Sequence, residues 1–136
     1  MASQAERGSR TTPLADVRVT VPDVGDVAVL QAKAANVVQH FGGATSVARM
    51  LRVARSQPGR WVRGTEQPSA RSTRHLVDLD YVVSRLAQLY EPATATTWIA
   101  SPNAFLNGAR PIDVLLTEGP AEVIAAIDAS VAGSFA

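Results

Sequence analysis

Seven arginines stand between residues 44 and 77, and their guanidinium groups are the side chains of this 136-residue chain best suited to bind a charged ligand. The seven are Arg49, Arg52, Arg55, Arg60, Arg63, Arg71 and Arg74. Glu66 is the only acidic residue in the stretch, so its net charge is +6 in a chain whose total is +1. Such a basic cluster is typical of proteins that bind the phosphates of a nucleic acid. The alternative interpretation is a solvated arginine-rich face.

Catalytic chemistry has few candidate residues. His40 and His75 are the only histidines, and they lie on separate predicted helices without a neighbouring carboxylate and nucleophile. The chain has no cysteine, which excludes disulfides, thiolate metal ligands and cysteine nucleophiles. The glycines Gly42, Gly43 and Gly64 are expected to end helices and do not form a phosphate-binding loop. We therefore predict no enzyme, no metal and no cofactor, and interpret His75 as a surface histidine.

Two short predicted helices, joined by a tight turn, position most of the arginines. The first covers residues 44–52 and has an apolar face at helical spacing, formed by Val47, Ala48, Met50 and Leu51. The second covers about residues 56–63, has Trp61 and Val62 as its apolar residues, and ends at Gly64. Two helices joined in this way form a helix-turn-helix, whose second helix contacts DNA.

Pro58 and Gly59 lie inside this second helix and restrict where it begins. If Ala54 is the N-cap, Pro58 removes a needed hydrogen bond, and Gly59 costs roughly 1 kcal/mol in addition. If Ser56 is the N-cap, the proline lies in the first turn, where its missing N–H has no helical partner in any case. Either way we expect contacts mostly to phosphates rather than bases. The residues predicted to contact DNA are Arg55, Ser56, Gln57, Arg60 and Arg63.

Apolar periodicity predicts five further helices and an all-α fold with about seven helices. The five cover residues 27–41, residues 69–90, a short segment that ends before Ser101, and residues 111–117 and 120–132. Ser69 is expected to cap the longest helix, which extends to Leu89 and Tyr90, and Asn103 to form a turn or a cap.

The N-terminal residues predict no helix. Residues 1–13 are polar and are expected to be disordered. An alternation of valines predicts a short strand near residues 17–21, either in an extended arm or paired with its copy in a dimer. We recognise no signal peptide and no stretch near the roughly 20 apolar residues of a membrane span, so we expect a soluble, cytoplasmic protein that does not enter a membrane.

Two ordered sets of residues carry a resemblance to known families. The first set is Ala48, Leu51, Val53, Arg55, Ser56, Arg60, Trp61, Gly64 and Pro68. It resembles the Xre class of helix-turn-helix domains without a gap. The second set is Trp98, Ser101, Pro102, Asn103, Leu106, Gly108, Pro111, Leu115, Gly119, Val123, Ile127, Gly133 and Phe135. It resembles the toxin-binding domain of the Xre–MbcA–ParS antitoxins. The resemblance covers about residues 31–136. Pro58, Gly59 and an N-terminal extension of about 30 residues depart from the family pattern.

The resemblance implies a type II antitoxin of a RES–Xre toxin–antitoxin system. Its partner would be a RES-domain toxin that consumes NAD, and the chain end would cover the toxin's NAD pocket. The helix-turn-helix would repress the protein's own operon by binding operator DNA, as a homodimer within a larger complex. The residues that the resemblance assigns to toxin binding are Trp98, Ser101, Pro102, Asn103, Leu106, Pro111, Gly133, Ser134, Phe135 and Ala136.

The implied organisation has three parts: an N-terminal arm at residues 1–28, an Xre-like domain with its long linking helix at 29–91, and a small helical toxin-binding domain at 92–136. Residues 86–136 have a net charge of −4, which suits a basic nucleotide-binding cleft. Gly133 is expected to leave the last helix with a positive φ.

Several alternatives remain open from the residues. Phe135 either enters the toxin or folds back on its own core, and Trp98 and Leu106 are expected to lie at least partly in the core. The alternative function is a stand-alone helix-turn-helix transcriptional regulator without a toxin partner.

Overall fold

The computed structural model describes residues 27–133, and this range forms seven α-helices and one short 3-10 helix. The α-helices are α1 (Val27–His40), α2 (Ala44–Leu51), α3 (Gln57–Arg63), α4 (Ala70–Ala87), α5 (Pro92–Ala100), α6 (Pro111–Glu118) and α7 (Ala121–Gly133). The 3-10 helix, Ala104–Leu106, lies between α5 and α6. No strand occurs within residues 27–133, which confirms the all-α prediction. The predictions for residues 1–26, including the strand near 17–21, and for Ser134, Phe135 and Ala136 lie outside the described residues.

One hydrophobic cluster joins helices from both halves of the described chain. Buried side chains such as Val37 of α1, Leu79 of α4, Ile99 of α5 and Ile127 of α7 all belong to it. The longest helix, α4, contacts α1, α5, α6 and α7, and α1 also contacts α2, α3 and α5. Among residues 27–133, no helix is long and apolar enough to cross a membrane. The division into domains at residues 91 and 92 stays a prediction.

Helix α4 begins where its sequence predicts and ends before the predicted residue 90. The Ser69 hydroxyl oxygen accepts a 3.1 Å hydrogen bond from the Ser72 N–H, which is the expected N-cap. The helix ends at Ala87, so the predicted extension to residue 90 was wrong, and Leu89 is 39% exposed. Pro92 disfavours a helical conformation at Glu91, which is extended, and the chain forms a turn at residues 88–90 before it.

Polar contacts fix the helices around α4. The Asp80 carboxylate accepts hydrogen bonds from Lys33 Nζ at 3.1 Å and Asn36 Nδ2 at 2.8 Å, joining α4 to α1. His75 was predicted to be a surface histidine and is instead half-buried, with Nε2 3.2 Å from the Leu116 carbonyl oxygen. The histidine ring therefore joins α4 to α6, because the packing of these helices brings residues distant in sequence together.

The glycines at two predicted helix ends behave differently. Gly42 and Gly43 have φ values of 82° and 100° and lie between α1 and α2, as predicted. Gly133 was predicted to leave the last helix with a positive φ. That prediction was wrong, since Gly133 is the last residue of α7 and its φ is not positive. Glycine adopts helical φ values as readily as left-handed ones, so its presence alone does not end a helix.

Candidate functional site

The turn of the helix-turn-helix begins at Arg52, which caps α2 in a left-handed conformation with φ 59°. The Ala48 carbonyl accepts hydrogen bonds from the N–H groups of Arg52 and Val53, which closes the helix. Leu51 of α2 and Trp61 of α3 are buried in the core. The two helices are thereby held against the rest of the protein while their arginines remain on the surface.

Helix α3 begins with Ser56 as its N-cap, and Pro58 lies in its first turn. This confirms the second of the two possible starts, and the start with Ala54 as N-cap was wrong. A proline in the first turn costs no helical hydrogen bond. The helix is seven residues long, about two turns, and the Pro58 ring is buried.

Four of the five predicted DNA contacts are on the surface, and one is held inside the motif. Arg55, Ser56, Arg60 and Arg63 are exposed. Gln57 is half-buried: its Oε1 accepts a 2.9 Å hydrogen bond from the Ala54 N–H, and its Nε2 donates a 2.8 Å hydrogen bond to Glu66. The Gln57 side chain therefore supports the turn, and the arginines carry the charge available to a phosphate.

We call the exposed Arg55, Arg60 and Arg63 the arginine face, and Glu66 is the acidic residue beside it. Its carboxylate accepts hydrogen bonds from Gln57 and, at 3.3 Å, from Arg60 Nη1. The Gln57 hydrogen bond, followed by the bond and charge of Arg60, lowers the pKa of Glu66. Arg60 is thus partly neutralised, whereas no ion pair is formed by Arg55 or Arg63 within residues 27–133.

Asn103 closes the loop that follows α5. Its Oδ1 accepts a 2.9 Å hydrogen bond from the Phe105 N–H, and its carbonyl accepts from the N–H groups of Leu106 at 3.0 Å and Gly108 at 2.9 Å. Its own N–H donates to the Ala109 carbonyl at 3.0 Å. The prediction of a turn or cap at Asn103 is confirmed, and the residue fixes the shape of the whole loop.

A groove of about 490 Å³ lies along α5 and this loop. Four predicted toxin contacts line it together with neighbouring threonines: Trp98, Ser101, Pro102 and Asn103. Trp98 is half-buried and packs against the core cluster with part of its ring. The Ser101 hydroxyl donates a 2.6 Å hydrogen bond to the Thr97 carbonyl, which fixes the end of α5. These four residues lie within six positions in the sequence and form one concave surface.

The other predicted toxin contacts lie elsewhere. Leu106 is 9% exposed and belongs to the hydrophobic core, and Pro111 is buried at the start of α6. The expectation that Leu106 packs in the core is confirmed. Gly133 lies at the end of α7, and Ser134, Phe135 and Ala136 are outside the described residues.

Sequence reasoning missed one exposed aromatic residue that follows the groove residues in the chain. Phe105 lies in the 3-10 helix directly after Asn103 and is 52% exposed. An aromatic residue beside a Pro-Asn turn is a signal that could have been used, because exposed aromatic side chains are often interface anchors.

A second group that the sequence analysis did not identify joins α2 to α6. The Asp113 carboxylate accepts hydrogen bonds from Arg110 Nε at 2.8 Å, Arg110 Nη2 at 3.0 Å and Arg52 Nη2 at 2.8 Å. The hydrogen bond with Arg110 is the main reason that the pKa of Asp113 is lowered. The spacing of Arg110 and Asp113 by three residues was a local signal for one of these pairs.

Comparison with known proteins identifies the family. No family model matches the chain. The Mycobacterial cidal antitoxin MbcA of Mycobacterium tuberculosis, and likewise that of Mycobacterium bovis, is 33% identical over 76 residues, which cover 56% of this chain and 67% of the relative. The chain belongs to the MbcA family of antitoxins. Its identification as an antitoxin from the sequence is therefore confirmed.

The fold of this MbcA-family antitoxin also has a solved counterpart. A chain in the crystal structure of the M. tuberculosis MbcT–MbcA toxin–antitoxin complex matches it with a TM-score of 0.67 and 27% identity. The match covers 79% of this chain and 98% of that chain. The similarity thus extends over most of the chain.

Proposed function

We propose that this MbcA-family protein neutralises a cognate toxin by binding it through the groove along α5 and the adjoining loop. The observation that carries the proposal is the match to a chain of a toxin–antitoxin complex over 98% of that chain. The groove supplies a concave surface, and Phe105, two residues after Asn103 in the chain, supplies an exposed aromatic side chain. Aromatic side chains that become buried on binding are frequent anchors of protein interfaces.

The proposed toxin is a RES-domain protein that consumes NAD, as the family resemblance of the C-terminal third implies. The chain end, from about Ala132 to Ala136, would cover the toxin's NAD pocket, with Phe135 as its anchor. Residues 86–136 have a net charge of −4, which favours a basic nucleotide-binding cleft over an acidic one. Binding and blocking are then carried by different parts of the chain.

Co-expression with the toxin tests this separation. The full chain is expected to co-purify with the toxin and to stop its NAD consumption. A chain that lacks residues 133–136 is expected to co-purify but to leave NAD consumption active. The comparison variant is Phe105→Ala in the full chain, which is expected to weaken co-purification with the toxin. If the shortened chain still protects cells that express the toxin, the chain end does not block the pocket.

A second proposed function is binding of operator DNA through the arginine face of residues 29–91, as a homodimer in the cytoplasm. It is favoured by three exposed arginines, Arg55, Arg60 and Arg63, around the turn and short helix of a helix-turn-helix. The test is binding to the protein's own promoter across a salt series. Absence of binding at moderate salt would exclude this role and leave the toxin-binding proposal intact.

A further inference from the structure

A small cavity of about 160 Å³ lies where α2 meets α5 and α6, away from the toxin-binding groove. Three arginines line it: Arg49 and Arg52 from α2 and its cap, and Arg110 from the residue before α6. Ser46 and Asp113 line it as well. Three basic residues and one acidic residue thus line the same cavity.

The hydrogen-bond donors in this cavity exceed the acceptors that the protein provides. Each guanidinium has five N–H donors. The Asp113 carboxylate accepts two bonds from Arg110 and one from Arg52. Within residues 27–133, Arg49 forms no ion pair, and its side chain is exposed. The cavity therefore retains two uncompensated positive charges and most of its donors.

Asp113 also shows that the arginines are arranged to hold an oxyanion. Arg110 contacts the carboxylate through two nitrogens, and Arg52 contacts it from the other helix at 2.8 Å. The planar fork of arginine matches phosphate oxygens in the same way as carboxylate oxygens. A volume of about 160 Å³ corresponds to roughly five water molecules, which is room for one phosphoryl group.

We propose that this cavity is a binding site for a single phosphoryl group, on inorganic phosphate or at the end of a mononucleotide, held by Arg49, Arg52 and Arg110. Such a ligand bridges α2 of the helix-turn-helix and the start of α6, and so stabilises the contact between the two halves of the described chain. The site requires neither the toxin nor operator DNA, and it therefore goes beyond the proposed function.

The test is a titration of the full ¹⁵N-labelled chain with inorganic phosphate and, separately, with AMP, at constant ionic strength. Saturable shifts of amide resonances are expected in α2 and at the start of α6. Arg49→Gln is expected to weaken the affinity for phosphate by about threefold to tenfold, as loss of a partly exposed charged hydrogen bond predicts. Arg49→Lys should retain part of the affinity, because the charge remains.

The matched control is Arg71→Gln, which removes the same charge from an exposed position on α4 outside the cavity. It should leave the affinity for phosphate unchanged, and circular dichroism should show the same helical content in all variants. Three results would each overturn the proposal: titrations without saturation for both ligands, an equal loss in Arg71→Gln, and shifts produced by duplex DNA but by neither small ligand.

Discussion

The Gln31 amide nitrogen lies 2.8 Å from the position that a Cβ atom on Gly64 would occupy. The same nitrogen donates a 3.2 Å hydrogen bond to the Val62 carbonyl. Gly64 caps the end of α3 with φ 77°, a conformation that side chains with a Cβ rarely adopt. The backbone conformation therefore favours glycine where α3 ends, and the Gln31 side chain of α1 would have to shift to admit a Cβ atom.

Gly64→Ala is expected to lower the free energy of unfolding by roughly 1–3 kcal/mol, since it adds a steric clash with Gln31 to the strain of a left-handed alanine. Urea denaturation measures the loss. The control is Gly108→Ala, where φ is 88° and no atom lies within 4 Å of the added Cβ, so strain acts alone. Equal losses in the two variants would show that the Gln31 contact contributes nothing.

Asp113→Asn is expected to destabilise the protein at neutral pH, and this effect should shrink as the pH falls through the acidic range. The Arg110 hydrogen bond lowers the pKa of Asp113, so the folded chain binds this proton more weakly than the unfolded chain. The stabilisation is complete above the unfolded pKa and is lost as the pH falls through the folded pKa. Urea denaturation at pH 7 and at pH 3 compares the variant with the wild type.

Asp78 supplies a control, because its pKa is shifted in the direction opposite to that of Asp113. Burial raises the pKa of Asp78, more than the charges of Arg74 and His75 lower it. Its contribution to stability is present below the unfolded pKa and is lost as the pH rises through the folded pKa. Asp78→Asn should therefore be neutral or stabilising at pH 7. A loss of stability at pH 7 equal to that of Asp113→Asn would contradict the assignment of both effects to titration.

Arg60→Ala is expected to weaken binding to all DNA sequences and to reduce the slope of log affinity against log salt by about one, as loss of one phosphate contact predicts. Glu66→Gln should strengthen binding, because it removes the carboxylate 3.3 Å from the Arg60 guanidinium. Arg85→Ala is the control, since Arg85 pairs with Asp128 far from the turn in sequence. A slope that Arg60→Ala leaves unchanged would exclude a phosphate contact at this residue.

Phe105 and Leu106 are adjacent residues with opposite expected roles. Phe105→Ala should weaken toxin binding by tenfold or more, about 1.4 kcal/mol, and leave stability within about 0.5 kcal/mol, because the side chain is 52% exposed. Leu106→Ala should instead lower the free energy of unfolding by roughly 2–5 kcal/mol, because it removes a buried side chain. Calorimetry with the toxin and urea denaturation separate the two effects. Unchanged affinity in Phe105→Ala would remove this residue from the interface.

The features that the sequence predicted correctly depend on local rules. Ser69 and Asn103 cap helices through hydrogen bonds to residues two or three positions later in the chain, so their role can be read from neighbouring residues. Pro58 limited the start of α3 to two alternatives, and the structure has the one with Ser56 as N-cap. The apolar spacing in α1, α2 and α4 placed their buried faces in the core.

The features that the sequence could not predict depend on contacts between distant residues. Arg52 and Asp113 are 61 positions apart, and His75 and Leu116 are 41 positions apart. No local pattern brings such residues together, because helix packing decides their distance. Gly133 differs, since glycine is compatible with both a helix and its end, and its type alone does not decide between them.

The hydrophobic cluster that joins both halves of residues 27–133 has a consequence for how the proposed toxin specificity would change between relatives. Recombination between two relatives at residues 91 and 92 would combine Val37 and Leu79 of one parent with Ile99 and Ile127 of the other, although all four belong to one core. Mismatched volumes in a packed core cost stability, so such chimeras should fold only with compensating substitutions in α4. Surface residues such as Phe105 are free of this restriction. Partner preference is therefore expected to diverge by point substitution rather than by exchange of whole segments.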